Sequence, residues 1–146
     1  MKAAIALWLR GDRARTSLAA ARADLAALPL PEAVARRVAV PAGRKQRDFS
    51  LRLFRSALAS LLDRESETHP CLVRALALLE EARACGYAPS LVVGVRGAGG
   101  TIESHAWLAI DGVPFLEAHE TPERYETIAV LPERTADTAP SAGTAL

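Results

Sequence analysis

A thiol attacks a carbonyl only as its thiolate, and one of the two cysteines in this 146-residue chain stands where that state is favoured. Cys71 follows Pro70 in "SETHPCLVRALALLEEA", at what reads as the first turn of an amphipathic helix. Unpaired N–H groups and the helix dipole stabilise negative charge there. A base must then take the proton, and a third group must orient the base. His69, His105 and His119 are the only histidines. His69 lies just before the helix and reads as a surface or capping residue, and His119, in "AHETPERY", reads as exposed. His105 lies inside the strand pattern "ESHAWLAI", where alternation puts it on one face with Trp107 and Ala109. If that face packs on the helix opening at Pro70, His105 reaches Cys71. Taken alone, a helical cysteine is most simply a small core residue, and that is the reading for Cys85.

The acid follows from hairpin geometry. A three-residue loop over Ile110, Asp111 and Gly112 pairs Ala109 with Val113 and sets Glu117 directly opposite His105. A two-residue Asp-Gly turn shifts the register by one, pairs His105 with Ala118 and turns Glu117 away. Asp111 shares the face of His105 but is six residues along the strand, roughly 20 Å at 3.3 Å per residue. Glu117 is therefore the preferred acid, and Asp111 the alternative.

These residues need a helix and a sheet to position them. Thr68 is the expected cap of a helix beginning at Pro70 and stopping at Cys85-Gly86, with Leu72, Ala75, Leu76, Leu79 and the stem of Arg83 on its apolar face. "SLVVGV" reads as a central strand, "GAGG" as a turn, "TIESHAWLAI" as a second strand, "VPFLEA" as a third and "ETIAVL" as a fourth. The first 65 residues, rich in Ala, Leu and Arg, read as three helices. In the first, Thr16 or Ser17 is the cap and Leu18, Ala21, Leu25 and Leu28 share a face. "PEAVARRVA" is the second, and "PAGRKQRD" is an exposed connection to the third. There Asp48 is the cap, with Leu51, Phe54, Leu58, Leu61 and Leu62 at helical spacing. The fold class is thus α+β: N-terminal helices, then a central helix on an antiparallel sheet of about four strands. One domain over residues 1–131 is expected, helical over 1–65 and carrying the catalytic helix and sheet over 66–131. Residues 132–146 lack periodicity and read as a disordered tail.

Composition excludes several functions. No apolar run approaches the roughly 18 residues of a membrane span, and the N-terminus lacks a signal-peptide pattern, so a cytoplasmic protein without membrane association is expected. Cys71 and Cys85 lie on one helix, roughly 20 Å apart at 1.5 Å per residue, too far for a disulfide. With no CxxC pair or clustered His/Cys spacing, neither a metal nor a cofactor is expected. "GVRGAGGT" lacks the Lys-Ser/Thr of a phosphate loop. Residues 1–64 hold 13 Lys and Arg against 5 Asp and Glu, a net +8, whereas residues 65–146 hold 5 against 12, a net −7. The two parts are expected to attract each other. The basic part is interleaved with Ala and Leu rather than aromatics, which disfavours nucleic acid as a partner.

Residues 70–117, with "CLVRALALLEEARACGYAPSLVVGVRGAGGTIESHAWLAIDGVPFLE", closely resemble the transglutaminase-like cysteine peptidases that remove the leader from lasso-peptide precursors. The shared pattern is Cys-Leu before an Arg-Ser/Ala-Leu-Ala-Leu helix, a Leu-Val-Ile-Gly-Val strand, then His-Ala-Trp-Val and Asp-Gly. The order Cys, His, acid is that of transglutaminase-like and papain-like folds. The resemblance implies Cys71 as nucleophile, His105 as base and, twelve residues on, Glu117 where the family usually has Asp. It implies hydrolysis at the end of the leader, with the oxyanion held by N–H groups including that of Cys71, and a separate cyclase acting on the released core. The N-terminal helices lack the strands of the family's leader-recognition module, so a separate recognition protein is the implied partner. The residues also fit a transglutaminase-like hydrolase or acyltransferase on another substrate, or a non-catalytic peptide-binding or scaffolding module.

Overall fold

The computed structural model describes residues 2–41, 43, 48–62, 69–117 and 121–133. Helices α1 (Lys2–Ala27), α2 (Leu30–Val38) and α3 (Asp48–Leu62) precede α4 (Pro70–Ala84). Strands β1 (Pro89–Ala98), β2 (Thr101–Ile110) and β3 (Val113–Phe115), the short helix α5 (Thr121–Arg124) and β4 (Glu126–Leu131) follow. The four strands form one antiparallel sheet in the order β3-β2-β1-β4. This is the α+β class expected. The proposed cap Thr68, most of the connection between α2 and α3, His119 and residues 134–146 of the expected tail lie outside the described residues.

Helix α1 is longer than expected. It does not start at Thr16 or Ser17, because the Ala-rich stretch before them has high helix propensity of its own. Thr16 donates its hydroxyl to the Asp12 carbonyl at 3.1 Å, a way for threonine to be satisfied inside a helix instead of capping one.

Helix α4 is the centre of the molecule. Helices α1, α2 and α3 pack on it from one side and β1 and β2 from the other. Its buried set, Val73, Ala75 to Leu79 and Ala82, therefore runs almost round the helix and is wider than the single apolar face expected. Pro70 occupies the first helical position with His69 as N-cap residue. At the other end Tyr87 N–H donates to Ala82 O and Gly86 N–H to Arg83 O, both at 3.0 Å. This is a Schellman stop, and Gly86 has the left-handed φ of 88° it requires.

The charge asymmetry is realised as contacts between the two parts. Arg13 of α1 meets Glu81 of α4 at 2.9 Å, Arg37 of α2 pairs with Glu80, and Arg55 of α3 approaches Glu117 at 3.9 Å. Arg37 is buried and also binds Asp24 of α1 through Nε at 2.9 Å, so one guanidinium ties α1, α2 and α4 together.

Three expectations about the sheet are corrected. The β2–β3 hairpin has a two-residue turn, Asp111-Gly112, with Ile110 paired to Val113 and Ala109 to Pro114. Both turn residues have positive φ, 53° and 78°, the backbone an Asp-Gly pair adopts in the tightest hairpins. The face of His105, Trp107 and Ala109 does not pack on α4. Ala106 and Leu108 join the main core, whereas Trp107 and Ala109 form a second cluster with Val92 and Tyr125 on the other face. Strand β3 also stops at Phe115, earlier than "VPFLEA" suggested, because Leu116 takes a φ of 55° that no strand continues. No helix among the described residues is long and apolar enough to cross a membrane.

Candidate active site

Of the first four residues of α4, Pro70 has no N–H and Val73 donates to the His69 carbonyl at 3.1 Å. Cys71 and Leu72 are left with N–H groups that the helix does not use. The Leu72 N–H serves the half-buried Cys71 sulfur, and a second main-chain donor comes from Ala106 of β2. The sheet explains that donor. Even-numbered residues of β2 turn their main-chain groups toward the β3 side, and because β3 ends at Phe115, opposite Leu108, the Ala106 N–H lies beyond it. Cys71 thus sits against the edge of β2, which is how His105 reaches the thiol although its face of the sheet is turned away from the helix.

Cys71 and His105 are hydrogen-bonded. That bond is the largest influence on the thiol. Together with the two main-chain donors and the charge of His105 it outweighs burial and holds Cys71 below the ordinary thiol value of 9.0. His105 is pushed the other way, to about 9, by its bonds to Cys71 and Glu117 against the opposing effect of burial. The two directions agree: each group favours the charged form of the other, the Cys71 thiolate and the His105 imidazolium. The second cysteine, Cys85, is buried at the end of α4 and burial raises its thiol, so it takes no part.

Thiolate chemistry is directly measurable. Because the Cys71 value lies below 9, its alkylation by iodoacetamide stays fast as pH falls below 9 and declines only at lower pH. His105→Ala removes the largest lowering influence, so the thiol value rises and the pH–rate curve shifts to higher pH. An unshifted curve would show that the imidazole does not stabilise the thiolate.

The His105 ring is held on its own face by aromatics. Trp107 stacks beside it with ring centroids 5.7 Å apart, and Tyr125 lies 5.4 Å away. Gly94, opposite His105 in β1, leaves room for them. A Cβ there would lie 2.8 Å from Tyr125 Cβ and 2.9 Å from the Trp107 ring. Neither group yields easily, since one is next to the backbone and the other is a buried ring. Gly94→Ala is accordingly expected to cost about 1–3 kcal/mol of stability by overpacking. Melting with and without the substitution checks this, and an unchanged Tm contradicts the packing described.

Glu117 completes the site by a route that the hairpin rule did not anticipate. The two-residue turn should have turned it away from His105. The kink at Leu116 takes the chain out of the ladder, and Glu117 Oε2 comes to 3.3 Å from His105 Nε2. Nδ1 is then the ring nitrogen available to the thiol. Glu117 Oε1 accepts a hydrogen bond from Arg74 at 3.1 Å, with Arg55 at 3.9 Å. Burial raises the Glu117 carboxyl, but the His105 bond and the charges of Arg74, His105 and Arg55 prevail, and it stays below its ordinary value. Asp111 is left exposed at the hairpin turn. His69 is exposed at the head of α4 with no side-chain cap bond.

The sequence reading missed Arg74 and Arg55. Arg74 carried a signal: it lies three residues after Cys71, on the same side of one helix. Arg55 carried none, since only the packing of α3 brings it to Glu117. Among the described residues no group of His, Cys, Asp and Glu is placed to hold a metal ion. The arrangement can support nucleophilic attack by sulfur, with proton delivery from one oriented imidazole.

A family model described as the transglutaminase-like superfamily matches residues 3–130. No curated protein and no solved structure matches the chain.

Proposed function

The chain belongs to the transglutaminase-like superfamily, which includes cysteine peptidases and acyltransferases, and from that premise we propose that it is a cysteine peptidase releasing the leader from a lasso-peptide precursor. The observation that carries the peptidase reading is the chain of contacts from Cys71 to His105 to Glu117, with a lowered thiol at a helix N-terminus. The leader-peptidase reading rests on the motif pattern of residues 70–117.

In the proposed reaction the Cys71 thiolate adds to the scissile carbonyl, and the oxyanion is held by main-chain N–H groups, that of Cys71 at the head of α4 among them. His105, already protonated, gives its proton to the departing amine as the C–N bond breaks and a thioester remains. Neutral His105 then takes a proton from water, the hydroxide adds to the thioester, and the C–S bond breaks to restore the thiolate and imidazolium. Glu117 keeps Nε2 protonated throughout, and Arg74 keeps Glu117 ionised. The product is a core peptide with a free N-terminus, the substrate of a separate cyclase. A separate recognition protein delivers the precursor.

The test is reconstitution. The gene is expected to lie beside genes for a small precursor, a recognition protein and an asparagine-synthetase-like cyclase. Incubating the chain with that precursor and recognition protein is expected to yield, by mass spectrometry, intact leader and core peptides from a single cut. No cut, or transfer of the acyl group to an amine instead of water, overturns the reading.

A further inference from the structure

The strand that carries His105 is paired unevenly. β1 pairs with β2 from Thr101 to Ile110, but β3 pairs only with Leu108, Ala109 and Ile110. Both hairpins close in two-residue turns, Gly99-Gly100 and Asp111-Gly112, with all four turn residues at positive φ. The flanking pairs, Ala98 with Thr101 and Ile110 with Val113, set the direction of every main-chain group in between. Odd-numbered residues of β2 face β1, and even-numbered residues face outward. Leu108 and Ile110 pair with β3, and Ala106 turns its N–H to the Cys71 sulfur. Ser104 and Ile102 come next on the same edge. Both are exposed, and among the described residues nothing pairs with their outward N–H and C=O groups.

We propose that this free edge, from Ile102 to Ala106, takes an extended peptide as an added β-strand that leads one of its carbonyls to Cys71. The inference deepens the peptidase reading and rests on it for the identity of the peptide as substrate. Main-chain groups recur along the edge every two residues, about 6.6 Å apart. A strand in register with Ile102 and Ser104 therefore brings its next peptide unit level with Ala106, where the sulfur is. An open edge of this kind pairs readily with another chain, and here it runs directly into the nucleophile. Ile102, 80% exposed, adds an apolar contact for a side chain of the incoming strand. The adjacent charges do not obstruct it, since Glu103 and Arg96 are paired with each other at 2.6 Å. Recognition through the main chain tolerates many side chains but excludes proline at the pairing positions.

The experiment tethers a strand at the site. Acetyl-TVTVC-amide and acetyl-CVTVT-amide, each supplied as a 2-pyridyl disulfide and joined to Cys71, run from the sulfur in opposite chain directions; buried Cys85 does not compete. Amide hydrogen exchange is then read residue by residue. In one adduct the Ile102 and Ser104 amides are expected to exchange at least tenfold more slowly, with Thr101 and Glu103 unchanged, and N-methylation of the pairing residues of that probe is expected to abolish the effect. Unchanged exchange in both adducts overturns the proposal. Protection already present in the untethered protein also overturns it, identifying the chain itself as occupant, or a second copy where protection grows with protein concentration. Precursor cleavage tests the peptidase reading separately: protection without cleavage overturns that reading alone, and cleavage without protection overturns the edge proposal alone.

Discussion

Cys71→Ala is expected to abolish precursor cleavage, lowering kcat by about 10⁴–10⁶-fold, and His105→Ala is expected to do nearly the same. The double variant should lose no more than the single ones. The reason is that the two groups act as one unit: the thiol is lowered chiefly by its bond to His105, and the imidazole is raised chiefly by its bond to Cys71. Removing either leaves the other without the partner that favours its charged form. Single-turnover cleavage followed by mass spectrometry measures the loss. A Cys71→Ala protein that cuts at the wild-type rate would sink the thiol mechanism, and additive losses would show that the two residues work apart.

Glu117→Gln is expected to lower kcat by up to about 10⁴-fold while leaving the fold intact, the loss that follows when the orienting acid of a catalytic triad is replaced by its amide. The amide can no longer hold a protonated Nε2 with a charge, and can present its NH₂ group to the imidazole instead. The 3.1 Å bond to Arg74 is weakened at the same time, because it was charge-assisted on both sides. Asp111→Asn should leave kcat unchanged, since Asp111 is exposed at the hairpin turn. Both variants belong in one cleavage assay, with kcat and KM determined separately. Loss with Asp111→Asn and none with Glu117→Gln would reverse the assignment of the acid.

How much was legible can be argued from these same residues. The helix opening at Pro70 was readable because proline at a first helical position and glycine after a last one are local signals. The strand around His105 was readable because alternation over "ESHAWLAI" is local too. Charge arithmetic foresaw that the basic and acidic parts would attract each other, but not that Arg55 would be one of the residues meeting Glu117.

The hairpin is the instructive case, because the register expected from a three-residue loop was wrong and the residue it selected still came to His105. Turn length was undecidable from "IDGV", since both loop forms accept Asp-Gly at small energetic difference. The outcome then depended on Leu116, an ordinary strand-former in sequence, which packs against the core with a left-handed backbone and takes Glu117 out of the ladder. The face assignment failed for a related reason. Alternation says which residues share a face, not which face a helix covers, and the contact between Cys71 and His105 forms at the strand's edge.

By itself, then, the sequence determined the elements, their order and the residue types able to do thiol chemistry, because caps, periodicity and turn residues act over a few positions. Only the tertiary structure decided the register of β3, the face that α4 covers, the arginines around Glu117 and the edge of β2 beside Cys71 that is left unpaired among the described residues. Those depend on contacts between residues far apart in the chain, whose energies are settled by packing the whole domain at once.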